Sequence, residues 1–203
     1  MITKLFTIGY AGFGLPEFLT ELKKRQIQLV IDVRSQPFSK YYADYNQDRI
    51  CNALKNENIY YRNYAKEFGA RQENKVYYSS EGYLDFSKFS KSEVFQNGIE
   101  RLCLSMQKGY SFVLMCAEKD PIDCHRAILV SRAFHEKGYQ VEHILPNEVV
   151  YTQEDINQRL VDKYFPNRNQ LSFLTPVLSD EEMIQEAYCK QNAEIGYRME
   201  ATE

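Results

Sequence analysis

Nothing in this 203-residue sequence approaches the run of roughly 20 apolar residues that a membrane span needs, so a membrane is not among its expected partners. The N-terminus, Met1-Ile2-Thr3-Lys4-Leu5-Phe6, lacks the charged, apolar and small-residue regions of an export signal and runs straight into an apolar strand. Cysteine is sparse: Cys51, Cys103, Cys116, Cys124 and Cys189 are odd in number and lack the spacing of a disulfide framework. Free thiols in a reducing cytoplasm are therefore expected. Neither sign of charge dominates, and a net charge of −3 excludes wholesale binding of polyanions. The ends differ, however. Residues 1–80 hold 12 Lys and Arg against 8 Asp and Glu, whereas residues 146–203 hold 5 against 11. The front half can present a basic face or simply solvated charges.

What the sequence does have is alternation. Short apolar runs at Lys4–Ile8, Gln28–Val33, Ile59–Arg62, Ser111–Cys116 and Val141–Leu145 read as strands. Helical spacing separates them at Glu17–Arg25, Gln47–Asn56, Ser92–Lys108 and His125–Lys137, with Gly138 as the expected C-cap of the last. This pattern predicts an α/β fold: a mainly parallel sheet of about five strands flanked by helices in a Rossmann-like three-layer arrangement. The second and fourth runs are apolar almost throughout and suit strands buried on both faces. Residues 63–91 are rich in Tyr, Ser, Lys and Glu with weak periodicity, and a connection that long suggests a binding element or lid. Residues 1–150 are expected to form the α/β core and residues 151–203 a helical C-terminal appendage packed on or extending from it. In the appendage, Thr152 with Asp155 and Ser179 with Glu182 read as capping boxes, separated by a linker at Pro166–Pro176.

In open parallel sheets, ligands bind outside the carboxyl ends of the strands. The first strand delivers Gly9-Tyr10-Ala11-Gly12-Phe13-Gly14 there. It is not a GxGxxG phosphate loop, so it reads as a turn or as a close backbone approach to a ligand by Gly9 and Tyr10. The second delivers Asp32 and Arg34, two apart and so on one side. They read either as a buried ion pair, or as an acid or base with an arginine that grips a phosphate. The fourth delivers Cys116-Ala117-Glu118-Lys119-Asp120-Pro121 and then Cys124-His125-Arg126 at the start of a helix. A helix N-terminus favours anions and lowers a cysteine's pKa.

Three chemistries compete for this segment. Cys116, Cys124 and His125, with Glu118, can ligate zinc, but C-x7-C-H lacks the usual short ligand spacing and no metal is predicted. Thiol redox chemistry needs the two cysteines to meet, and C-x-x-C is absent. An anion-binding or hydrolytic pocket would use Arg34, Arg126 and the helix end for binding, with Asp32 or Glu118 as acid or base. Cys116 or Cys124 would be the nucleophile and His125 its assistant. The Cys-x5-Arg spacing of phosphocysteine enzymes is missing. Tyr41 and Tyr42, close after Arg34, can stack bases of a nucleotide or nucleic acid, or serve a protein interface or a homo-oligomer.

Three segments carry a family resemblance: Thr7-Ile8-Gly9-Tyr10-Ala11, Val30-Ile31-Asp32-Val33-Arg34-Ser35-Gln36-Pro37, and Leu114-Met115-Cys116-Ala117-Glu118-Lys119-Asp120-Pro121 leading to Cys124-His125-Arg126. On these the chain resembles the bacterial and archaeal proteins of domain of unknown function family 488, over about residues 5–145. The resemblance implies an α/β fold and supplies no activity. The expected function is binding or processing of a phosphate-bearing ligand. A non-catalytic module binding nucleic acid or protein is the alternative, and a metal or thiol-redox protein the third reading.

Overall fold

The structure, a computed structural model, describes residues 4–168 and 178–199. Its elements run β1 (Lys4–Gly9), α1 (Leu15–Lys24), β2 (Leu29–Asp32), α2 (Gln47–Asn56), β3 (Tyr60–Asn63), the single-turn helices α3 (Ala65–Phe68) and α4 (Phe86–Phe89), α5 (Glu93–Gln107) and β4 (Phe112–Cys116). After β4 come a π-helical segment (Arg126–Ser131) continued by α6 (Arg132–Glu136), then β5 (Gln140–Ile144), β6 (Val150–Thr152), α7 (Gln153–Tyr164) and α8 (Asp180–Ile195). All five expected strands are present. A sixth, the three-residue β6, pairs antiparallel with β5 at the sheet edge. It is too short to leave a period-2 signature in sequence.

The sheet order is β3-β2-β4-β1-β5-β6, parallel except for β6. β4 is buried at every residue, as expected for a central strand. From β1 the chain moves through α1 and α2 toward β3. From β3 it returns through α5 to β4, and then crosses to β5. Right-handed crossovers in opposite directions put their helices on opposite faces. Two separate cores result. Ile8, Val30, Val113 and Met115 face Phe18, Leu22, Ile50 and Leu54 of α1 and α2. Leu5, Ile31, Leu114 and Cys116 face Phe95, Ile99, Ile128, Phe134 and Ile156 on the other side. The chain leaves β1 for one face and β4 for the other, which opens a crevice between the carboxyl ends of these two neighbouring strands.

Local chemistry sets the helix ends. Ser92 caps α5 through the Phe95 N–H. Both expected capping boxes form, at Thr152 and Asp155 for α7 and at Ser179 and Glu182 for α8. Gly138, at φ 88°, closes the helix before β5, its N–H bonded to the His135 carbonyl. The predicted helix over His125–Lys137 is thus real, but its residues Arg126–Ser131 are wound as a π-helix.

Residues 63–91 are not the lid that their length suggests. Phe68, Leu84 and Phe89 are wholly buried in the larger core, and the segment is pinned by α3, α4 and a bridge from Tyr78 to Leu84. Spaced aromatics, rather than helical or strand periodicity, supply its packing. The C-terminal helices join the same core through Ile156, Leu160, Ala187 and Tyr188. Asn192 completes the junction, accepting from the Phe86 N–H and donating to the Leu84 carbonyl. Most of the predicted linker, residues 169–176, lies outside the described residues. No helix in the described residues is long and apolar enough to cross a membrane.

Candidate functional site

The crevice between β1 and β4 is closed at its base by backbone contact. Gly9 ends β1 so near the loop after β4 that a Cβ there would stand 1.8 Å from the Glu118 carbonyl oxygen. The Ala11 N–H donates to the Ala117 carbonyl at 2.9 Å, fastening the two loops together. Glycine at position 9 is therefore required for the strand-to-loop approach.

Strand alternation points Cys116 to the α5–α6 face, and the loop after it returns to the same place. Asp120 accepts from the Ile122 N–H and opens a 3-10 turn at Pro121–Asp123, which carries Cys124 back beside Cys116. Arg159 of α7 holds Asp120 through two hydrogen bonds of 2.9 and 2.7 Å, so the loop is braced from outside.

The result is a compact cluster. One carboxylate oxygen, Glu118 Oε2, accepts from Cys116 Sγ at 3.0 Å and from Cys124 Sγ at 2.9 Å. His125 Nδ1 lies 3.9 Å from Cys116 Sγ. Its other nitrogen, Nε2, donates to the Val33 carbonyl at 2.9 Å. A carbonyl only accepts, so Nε2 carries a proton and Nδ1 is turned toward the sulfurs. The Arg126 N–H, at the start of the π-helical segment, points to Cys124 Sγ at 3.4 Å. Both thiols and the imidazole are buried, whereas Glu118 is an exposed residue whose carboxyl end folds back over them.

The electrostatics divide the two thiols. Burial, the hydrogen bond to Cys124 and its charge push Cys116 well above the ordinary thiol pKa. Cys124 is also buried, but the Cys116 thiol, the Arg126 charge and His125 outweigh that and hold it well below. His125 is raised: burial opposes its charge, and the Cys124 sulfur and Glu118 overcome the opposition. Glu118 is raised by burial and by the Cys124 sulfur.

Neither arginine forms the expected anion clamp. Arg126 is wholly buried and donates through Nη1 to the Glu118 carbonyl at 2.6 Å and through Nη2 to the Lys119 carbonyl at 3.2 Å. It shapes the loop from behind. Arg34 is 5% exposed and engaged with Asp32, which is 0% exposed. Arg34 Nε and Nη2 reach both Asp32 oxygens at 2.6–3.0 Å, and the Arg34 backbone N–H adds a further bond. Burial opposes the arginine's charge, but Asp32 more than compensates and raises its pKa. Sharing the Val30 side of β2, this pair lies on the α1–α2 face, away from Cys116. Of the two readings of Asp32 and Arg34, the buried ion pair is the one the structure contains.

Tyr10 belongs with that pair, stacked on Tyr45 with ring centroids 4.4 Å apart and its hydroxyl near Arg34 Nη1. Tyr42 stays at the crevice rim, its hydroxyl donating to the Ala11 carbonyl. Tyr41 is 91% exposed and points into solvent. Sequence reasoning missed Tyr61, which donates to Asp32 Oδ2 at 2.7 Å. Its place on β3 beside β2 could have suggested it. The Val33 carbonyl that orients His125 has no sequence signal at all.

At the carboxyl end of β2, two residues past Val33, Ser35 lines a cleft of about 430 Å³ with Gln36, Arg71, Gln72, Tyr78 and Tyr197. The Arg71 guanidinium lies over the Tyr197 ring at 4.6 Å and makes no ion pair among the described residues.

No curated protein and no solved structure matches the chain. A family model, that of Domain of unknown function DUF488, matches residues 14–133, a span holding the whole cluster from Cys116 to Arg126, and the chain belongs to that family.

Proposed function

We propose that this protein binds and processes a phosphate-bearing ligand, a nucleotide or nucleic acid, at the carboxyl ends of β2 and β4. One observation carries the reading: the surface residue Glu118 reaches both sulfurs of an otherwise buried cysteine–cysteine–histidine group. A carboxylate on that boundary is placed to exchange protons between solvent, ligand and the buried donors.

The ligand class is supported by the adjacent cleft. Its size falls within the ~300–1,000 Å³ of small-molecule sites. Arg71 offers a guanidinium that makes no ion pair among the described residues, although the Glu73 carboxylate lines the same cleft, and Tyr78 and Tyr197 offer apolar surface. Cleft and cluster share the stretch that follows β2: Ser35 lines the first, and Val33 holds His125 of the second. The free thiols suit a reducing, cytoplasmic setting.

Binding is measured as thermal shift, and turnover as release of phosphate or base, against a panel of nucleotides and short oligonucleotides. Arg71→Ala is expected to weaken binding roughly tenfold or more. Glu118→Gln is expected to leave binding intact and to remove turnover. Absence of any shift or turnover across the panel, with the wild-type fold intact, overturns the reading.

A further inference from the structure

We infer that Cys116 Sγ, Cys124 Sγ and His125 Nδ1 hold a zinc ion, with the Glu118 carboxylate beside its open fourth position. The three donor atoms lie within 4.8 Å of one another. A tetrahedral zinc with ~2.3 Å bonds to sulfur and ~2.0–2.1 Å bonds to nitrogen needs its sulfurs about 3.8 Å apart and sulfur and nitrogen about 3.6 Å apart. The Cys116 Sγ to His125 Nδ1 separation of 3.9 Å is already within a few tenths of that.

The surroundings fit a metal site. His125 Nε2 donates to the Val33 carbonyl, which fixes the ring and presents Nδ1 to the ion, as outer partners of zinc-ligating histidines do. The Arg126 N–H supports the Cys124 sulfur. Two thiolates neutralise a divalent ion, leaving Glu118 and the wholly buried Arg126 as opposite charges. Arg126 Nε has no partner among the described residues, so this guanidinium retains a free donor beside the site. Two sulfurs and an imidazole favour zinc over calcium or magnesium, which take oxygen ligands. The long Cys-to-Cys spacing is no obstacle, because the 3-10 turn at Pro121–Asp123 brings the second cysteine back to the first.

Three protein ligands and a fourth position open beside an exposed residue describe a catalytic rather than a structural zinc. Its use rests on the function proposed above. Water at the open position gives a proton to the Glu118 carboxylate. The resulting zinc-bound hydroxide adds to phosphorus, the phosphoester P–O bond breaks, and Glu118 returns the proton to the leaving oxygen.

Metal analysis of the full chain, purified under reducing conditions without affinity tags, tests the site directly. About one zinc per chain is expected as isolated or after reconstitution with zinc chloride. Cobalt(II) exchange is expected to give a thiolate-to-metal charge-transfer band that weakens in Cys116→Ser, Cys124→Ser and His125→Ala. Glu118→Gln should retain the metal. Should the wild-type protein take up no stoichiometric zinc and show no charge-transfer band, with its cysteines titrating as free thiols or as a disulfide, the inference falls. These readouts need no substrate. Zinc without nucleotide binding leaves the metal site standing and removes the proposed function, and nucleotide turnover without zinc does the reverse.

Discussion

A Cβ on Gly9 would stand 1.8 Å from the Glu118 carbonyl oxygen and 3.0 Å from Arg126 Nη1, so the end of β1 and the loop carrying the carboxylate fit together only with glycine at this position. Gly9→Ala must push the loop aside or bend β1. A loss of about 3 kcal/mol or more in urea-unfolding free energy is expected, at the upper end of overpacking effects. The loop also covers the two cysteines, so faster thiol modification of the folded variant should accompany the loss. An alanine variant with wild-type stability and thiol protection would show that the approach is not obligatory.

Asp32 and Arg34 make a different kind of contact. Each is the other's principal partner in a region closed to solvent. Removing one leaves an unpaired buried charge, so Arg34→Met and Asp32→Asn should each cost about 3–5 kcal/mol. The double replacement should cost less than the sum of the two. Tyr61→Phe, which removes one hydrogen bond to the same carboxylate, should cost about 1–2 kcal/mol. Chemical denaturation of the five proteins, wild type included, reads all these terms. Wild-type stability in Arg34→Met would instead argue that the arginine is free for a ligand.

His143 gives the protein a defined acid sensitivity. It is 0% exposed and hydrogen-bonded to Thr7 and Gln153. Gln153 Nε2 donates to Tyr188 and Ala127, so its Oε1 accepts from His143 Nε2 and the ring is neutral. Burial and the Arg126 charge lower its pKa to about 3. The unfolded chain takes up a proton on this ring below about pH 6.5, and the folded protein does not until near the lowered value. Stability is therefore lost as pH falls through that window. Between pH 7 and 5 the expected loss from this residue is about 2 kcal/mol. Urea unfolding of wild type and His143→Gln at both values isolates it. Equal pH dependence in the two proteins would mean that the ring titrates normally.

Asn192 ties α8 to the segment around α4 by satisfying two backbone groups, the Phe86 N–H and the Leu84 carbonyl. Asn192→Ala orphans both and should cost about 2–3 kcal/mol. Because Ala187 and Tyr188 are part of the larger core, a chain ending at residue 178 should lose the sharp thermal transition of the full protein. Cooperative unfolding of that truncated chain near the full-length midpoint would make the C-terminal region dispensable.

The fold was legible because its signals are local. Periodicity placed Phe95, Ile99, Leu102 and Met106 on one helix face, and capping boxes marked where α7 and α8 begin. β6 escaped because three residues carry no period, and the segment at 63–91 looked structureless because its buried aromatics are irregularly spaced. The chemical cluster was legible from Cys116 to Arg126 as a set, but not in its geometry. No spacing rule says that a 3-10 turn returns Cys124 to Cys116, or that a backbone carbonyl from another strand orients His125. Arg34 was visible as a charge on a strand, but whether Asp32 consumes it depends on burial that only the packed sheet supplies.

The strand order has a consequence for biosynthesis. β1 lies between β4 and β5, pairing Phe6 with Val113 and with Glu142. On a growing polypeptide β1 has both hydrogen-bonding edges unsatisfied until more than half of the chain has emerged, while β2 and β3 can pair earlier, once the crossover through α2 has been made. Such delayed partners slow folding and leave sticky edges exposed in the meantime. Nascent β1 is thus the segment most in need of a chaperone's protection, and the crevice it helps to frame is among the last features of the molecule to take shape.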